Sequence, residues 1–332
     1  MKKRYSAAMA AVLIVSLLSG CQAAPSKSSL TPVTLNEVAH SIFYAPQYAA
    51  IELGYFEEEG IDLTLVNGAG ADKVMTALVS GDADIGFMGS EASIYTYAGG
   101  AADYAINFAQ LTQRAGNFLV GREADENFSW DKLKGAKVLG GRAGGMPQMV
   151  FEYILKKNGI DPKTDLSIDQ SINFGLTAAA FTSSDASYTV EFEPFATSLE
   201  LEGTGYVVAS LGTDSGYVPY TAYSAKKSYM EAHPEIIQKF TNAIQKGIDY
   251  VNSHSAEEIA KTIQPQFQET PLEHITKIVE RYKEQDTWKE DTIFEKDSFD
   301  LLQNILEEAG ELPARVPYED LVTTKFSEKA AK

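Results

Sequence analysis

The sequence predicts an α/β chain made of two units, each a mostly parallel sheet flanked by helices. Three observations carry this expectation. Short apolar runs of strand character alternate with helical periodicities from residue 33; the alternation restarts near residue 121 and runs to about 211; beyond about residue 224 only helical spacing continues. Alternation of strand and helix puts a crossover between neighbouring strands, which makes them parallel. The chain has 332 residues, room for two domains of roughly 150 residues each, and 44% of them are hydrophobic, enough for a packed core.

The elements follow in order. Residues 33–40 (VTLNEVAH) read as a strand, and 45–54 (APQYAAIELG) as a helix with Pro46 near its start and Gly54 as its stop. Residues 61–66 form a strand, and 71–81 a helix with Val74, Met75, Leu78 and Val79 on one face. A strand at 83–89, a helix at 90–100 with Ser90 as its N-cap, and a strand at 103–112 complete the first unit. The second has strands near 134–141, 165–173, 186–192 and 205–212. Its helices lie at 147–160, near 175–181 and at 194–203; the first carries an apolar stripe of Met149, Val150, Tyr153 and Ile154 and stops at Asn158-Gly159. Helical spacing then fills 234–254, 256–264, 271–285 and 298–311, a block without strands that is expected to pack back on the first unit.

The first 20 residues form an export signal: a basic start (Lys2, Lys3, Arg4), then an apolar run too short for the roughly 20 residues a membrane span needs. Cys21, the single cysteine, follows Leu18-Ser19-Gly20 directly. This is similar to a lipobox, in which the cysteine is lipidated and becomes the mature N-terminus; the alternative is an ordinary signal with a chance cysteine. Residues 21–32 then serve as a tether of small and polar residues. Loss of the three basic residues with the signal takes the formal charge from −18 to −21. So acidic a surface excludes nucleic acid as a partner.

Three loops share one design, a strand followed by small residues and a helix start: 67–72 (NGAGAD), 89–93 (GSEAS) and 140–147 (GGRAGGMP). Backbone N–H groups at such helix openings, beside the carboxyl ends of strands, can grip a polar ligand; alternatively the glycines only make tight turns. The third loop is not a nucleotide cradle. Gly140 and Gly145 have P-loop spacing, but Met146 and Pro147 stand where lysine and a hydroxyl are needed. No Cys/His metal spacing and no GxSxG elbow occur, and His233, His254 and His274 lie in the helical block. No cofactor is expected. Glu191 and Glu193 could form an acid/base pair, although a ligand contact at the strand end suits Glu191 better.

Position nominates the remaining candidates. His40, Phe43, Tyr44 and Gln47 follow the first strand, Gly68 and Gly70 lie in the first glycine loop, and Ser90 and Glu91 open a helix. Gln110 ends a strand, Gly144, Gly145 and Met146 open the helix that has Pro147 at its start, Asn173 and Glu191 end strands, and Tyr220 lies near the return to the first unit. Aromatic rings with a few polar groups suit a small, flat, polar ligand. Glu91 either satisfies the helix dipole or, in a cleft, repels sulfonate and nitrate and favours an amine or amino-heterocycle.

The segments SIFYAPQYAAIELGYFEEEGIDLTLV, LVSGDADIGFMGSEASI, WDKLKGAKVLGGRAGG and EPFATSLELEGTGYVVASLG together resemble an ABC-importer solute-binding protein of the group that takes thiamine-pyrimidine precursors, sulfonates, taurine or nitrate. The resemblance spans about 33–325. It implies a type II periplasmic-binding fold: two lobes, 33–116 plus 219–325 and 117–218, joined by crossings near 112–121 and 212–224 and closing on ligand by hinge motion. It further implies a non-enzymatic, monomeric receptor at the outer face of the cytoplasmic membrane, partnered by a permease and its ATPase and anchored through Cys21. Anion-binding relatives offer hydroxyls and small residues where Glu91 stands here, which tilts the expected ligand toward a pyrimidine-like compound. Two other classes stay open. A fungal relative of this fold makes the thiamine pyrimidine with pyridoxal phosphate and a histidine, although cofactor and substrate there are cytosolic. A sensory or adhesive lipoprotein could use the same fold without transport.

Overall fold

The computed structural model describes residues 30–332; Cys21, the signal and most of the tether lie outside the described residues. The chain begins with β1 (Thr31–Glu37), α1 (Ala45–Glu52), α2 (Tyr55–Glu58), β2 (Ile61–Asn67), α3 (Ala71–Ser80), β3 (Ile85–Met88), α4 (Glu91–Ala98) and β4 (Ala105–Thr112). It continues with β5 (Asn117–Gly121), β6 (Lys137–Leu139), α5 (Met146–Lys157), β7 (Ser167–Asp169), α6 (Phe174–Ser183), β8 (Tyr188–Phe192), α7 (Phe195–Leu201) and β9 (Tyr206–Ser210). Then come α8 (Leu211–Ser215), β10 (Thr221–Lys226), α9 (Lys227–Ala232), α10 (Pro234–Ser253), α11 (Ala256–Ile263), α12 (Leu272–Glu284), α13 (Lys296–Ala309), α14 (Tyr318–Leu321) and α15 (Ser327–Ala330).

Two five-stranded sheets result, ordered β2-β1-β3-β10-β4 and β7-β6-β8-β5-β9. This is the two-lobed architecture the sequence predicts, with one addition per lobe. β10 runs antiparallel between β3 and β4, and β5 antiparallel between β8 and β9, so both sheets are mixed. Sequence reading assigns Phe118–Gly121 and Thr221–Ser224 to the crossings; they are interior strands instead. All of β5 and nearly all of β10 is buried on both faces, so neither shows the alternation that marks a half-buried strand.

Local chemistry sets the helix ends. α3 stops at Gly81 in the left-handed conformation (φ 86°), and α11 begins with a full capping box between Ser255 and Glu258. α10 turns Ile237, Phe240, Ile244, Ile248 and Val251 inward and packs on α1, α2 and β4. Its Phe240 meets Tyr223 at 5.2 Å, and Tyr223 stacks on Phe87 at 4.3 Å, which welds the helical block to the first sheet. The block also reaches the second lobe, beyond what sequence reading expects: α13 packs on α5, and Arg281 of α12 pairs with Glu193 and, at 2.6 Å, with Glu200.

Candidate functional site

The loops that follow the carboxyl ends of β2, β3 and β6 meet at the boundary between the lobes, where Asp72 lies 4.0 Å from Arg142 and the Met146 N–H reaches the Glu91 carboxyl. The antiparallel strands therefore enter at that same edge: Asn117 opens β5 opposite Phe192, the last residue of β8, and Tyr220 immediately precedes β10, whose Ala222 faces Met88 at the end of β3. Each crossing thus delivers one polar residue to the cleft edge. Both are buried. Neither atom of the Asn117 amide nor the Tyr220 hydroxyl has a hydrogen-bond partner among the described residues.

Glu91 is the first residue of α4 and is only 4% exposed. Its side chain folds back over Gly89, where any Cβ would overlap Glu91 Oε2. Oε2 has no hydrogen-bond partner among the described residues. Burial pushes the carboxyl up from 4.5 to about 7, opposed by the backbone N–H groups of Glu91 itself and of Met146. Met146 opens α5 in the second lobe, so this carboxylate sits where the lobes meet. Two further contacts cross there: Tyr95 Oη to Met149 Sδ at 3.6 Å, and the exposed pair Arg142–Asp72 at 4.0 Å, which links the two glycine loops.

Aromatic rings line the first-lobe wall. Phe43 and Tyr44 belong to the 3₁₀ turn Ile42–Tyr44, started by Ser41, whose Oγ accepts from Phe43 N–H. Phe43 meets Tyr44 at 5.2 Å, Tyr220 edge-on at 5.7 Å and Tyr282 at 5.3 Å. It also lies against the first crossing, where a Cβ on Gly116 would come within 2.6 Å of the ring. Burial drives the Tyr44 and Tyr220 hydroxyls well above their ordinary pKa, and the Glu91 charge adds to both; both stay protonated and neutral.

The structure brings together Phe43, Tyr44, Ser90, Glu91, Met146 and Tyr220 from the nominated set. Ser90 occupies the N-cap position without capping; with its backbone in the αR region, its hydroxyl donates to Pro219 O, ahead of Tyr220. His40 and Gln47 join a separate network. Buried Glu37 accepts from Gln47 Nε2 (2.7 Å) and Tyr48 Oη (2.8 Å) and holds His40 Nδ1 at 2.8 Å. Gln47 Oε1 accepts from Tyr223 of β10, and His40 Nε2 meets Gln266 O at 2.9 Å, so Gln47 ties the end of β1 to β10 and His40 ties it to the helical block. Glu37 bonding raises the His40 pKa.

The loop amides are largely engaged. Gly68 N donates to Glu37 O, Gly70 N to Val38 O, Ala69 N to Asn67 Oδ1, and Gly144 N to Gln148 Oε1. The 68–70 turn thus uses these three amides within the first lobe, and Gly144 uses its own on Gln148 of α5. Helix α5 starts at Met146, placing Pro147 second, after the extended Gly145. Gln110 is buried in β4 and donates to Thr112 O; Asn173 is exposed at the start of α6. Glu191 lies within the second lobe, accepting from Thr189 Oγ1 (2.6 Å) and Thr177 Oγ1 (2.9 Å), and burial lifts it to about 7. Glu193 turns instead to Thr197 and Arg281, so the two acids share no site. Asn117 escaped sequence reading because Gly116-Asn117 carries turn chemistry, and its burial comes from strands remote in sequence. Among the described residues no group of three or more His, Cys, Asp or Glu is placed to hold a metal ion.

Comparison with known proteins places this geometry. The family described as "NMT1/THI5 like" matches residues 42–258. "Putative binding protein YtlA" of Bacillus subtilis (strain 168) is 45% identical over 323 residues, 97% of this chain and 96% of that protein. A 4-amino-5-hydroxymethyl-2-methylpyrimidine phosphate synthase of Aspergillus parasiticus is 23% identical over 64% of each chain. Among solved structures, the nitrate-binding protein NrtA of Synechocystis PCC 6803 superposes with a TM-score of 0.75 at 16% identity, over 91% of this chain and 88% of NrtA. The aliphatic sulphonate-binding protein SsuA of Escherichia coli gives 0.70 at 16% identity, over 87% and 96%. The chain has the type II periplasmic-binding fold and belongs to the NMT1/THI5-like family.

Proposed function

We propose that the chain is the extracytoplasmic receptor of an ABC importer, closing its lobes on a small, planar, nitrogenous ligand of pyrimidine or thiamine-precursor type and delivering it to the permease. The observation that carries this is the buried Glu91 carboxylate, with one oxygen unpartnered between the lobes. Buried polar groups are ordinarily hydrogen-bonded. Here an amino group or protonated ring nitrogen would satisfy Glu91, while Tyr44, Phe43 and Tyr220 supply apolar faces and Asn117 offers one donor pair and one acceptor. A sulfonate or nitrate about 4 Å from ionised Glu91 would cost about 4 kcal/mol at an effective dielectric of about 20.

A second reading, a receptor for sulfonate, taurine or nitrate, draws on one fact: with its carboxyl at about 7, Glu91 can be protonated and donate to an anion. A pyrimidine-forming enzyme on this fold is a weaker reading, since His40 is tied to Glu37 and Gln266. Thermal shift with aminopyrimidines, thiamine, flavins, purines, taurine, alkanesulfonates and nitrate separates these, because a ligand raises the midpoint by linkage. Stabilisation by sulfonates or nitrate alone overturns the nitrogenous ligand; an aldimine band with pyridoxal phosphate would favour the enzyme. Anchoring through Cys21 belongs to the same proposal. Its test is whether C21S releases the mature protein from membranes.

A further inference from the structure

The two crossings touch each other and a third segment. Arg114 of the first donates to Gly212 O of the second at 3.1 Å and lies over the Tyr217 ring at 4.3 Å. Gly212 packs so closely on Ala115 O that a Cβ there would overlap it. Into this junction comes the turn after α12. Gln113 N donates to Thr287 O (2.9 Å), Tyr282 Oη to Gly116 O (2.9 Å), and Tyr217 Oη to Asp286 Oδ2 (2.7 Å). Trp288 Nε1 donates to Phe43 O at 2.8 Å and fixes the turn to the first lobe, while Arg281 holds Glu193 and Glu200 of the second.

Gln285 stands at the centre and is 7% exposed. Its Nε2 donates to Ala115 O of the first crossing (3.1 Å) and to Thr287 Oγ1 (2.8 Å); its Oε1 accepts from Ser210 Oγ, where the second crossing begins (2.7 Å). We propose that Gln285 is a positioning residue that couples the two crossings and so sets how far the cleft closes. The amide spans the two segments by donating to a carbonyl on one and accepting from a hydroxyl on the other. Both Nε2 hydrogens are engaged within the protein, so the residue acts on the hinge and not on ligand. The role rests on the interlobe cleft being the binding site, but its test needs no ligand.

The test is the distance between spin labels on the full chain carrying C21S, with K73C at the start of α3 and A143C in the loop before α5. Both positions are exposed. Without ligand, Q285L should enlarge the open population at least about threefold relative to the parent. Q285E should match Q285L at pH 8, where a carboxylate opposes Ala115 O, and move back toward the parental distribution at about pH 3.5, below the ordinary Glu value of about 4.3, where the protonated oxygen can donate. Arg114, Asp214, Arg281, Lys283 and Asp286 are common to all three proteins, so only a change unique to Q285E counts. Should Q285L fail to melt cooperatively, Q285E compared between the two pH values decides. Parental distances in Q285E at pH 8 would overturn the proposal.

Discussion

Replacing Glu91 with Gln should make the unliganded protein more stable and its ligand weaker. The folded-state carboxyl stands at about 7 against 4.5 because it is buried. A raised value means that between those two limits the folded state binds more protons than the unfolded chain. The favourable contribution is therefore full below about pH 4.5 and lost as pH rises through about 7. At 1.36 kcal/mol per unit this amounts to roughly 3 kcal/mol. Gln has the same shape and no charge to desolvate, so E91Q should gain up to roughly 3 kcal/mol over wild type at pH 8 and little at pH 4.5. Glu191 is also raised to about 7, but it is present in both proteins and cancels in the difference. Urea unfolding of both proteins at the two pH values measures that difference. In the same pair, calorimetry with a cationic amino-heterocycle should show wild-type affinity rising with pH through about 7, and a loss of about 10- to 100-fold in E91Q, the magnitude of one charge-assisted bond. A pH-independent stability difference, or unchanged affinity, would refute the assignment and leave Glu91 as a helix cap alone.

Gly89→Ala should displace the Glu91 carboxylate, since a Cβ overlaps Oε2, and weaken binding at least about 10-fold by calorimetry with a destabilisation of about 1–3 kcal/mol. Asn117→Leu removes a buried amide without partners; the melting temperature should hold or rise while affinity falls about 10- to 100-fold, and unchanged affinity would show that Asn117 lies outside the site. Arg281→Ala strips the charge partner from Glu193, whose side chain has no exposure, so urea unfolding should report a loss of about 3–5 kcal/mol.

Much of the fold is legible because local periodicity encodes which face of an element is buried. Val74 and Leu78 of α3 are buried as their spacing implies, whereas Val79 on the flank is 46% exposed. The α5 stripe is likewise correct at Met149, Val150 and Ile154, with Phe151 and Leu155 added because that helix is covered on two sides, by α8 and α13. Candidate site residues are legible where they open an element. Glu91, Phe43 and Tyr44 were reachable from the strand–loop–helix pattern. His40 and Gln47 share that position, but the buried Glu37 captures both, and a buried carboxylate inside a strand leaves no periodic signature.

Turn chemistry and apolar spacing act within a few residues, and they suffice for the two α/β units, the helical block that follows them and the loops that open the helices. The remaining features come from long-range packing. It made β5 and β10 interior antiparallel strands, buried Asn117 and Tyr220 at their mouths, set the Glu91 carboxylate against Met146, and brought Gln285 to Ala115 and Ser210. Each of these depends on partners far apart in the chain, and a side chain's desolvation and its free hydrogen-bonding capacity exist only once those partners have met.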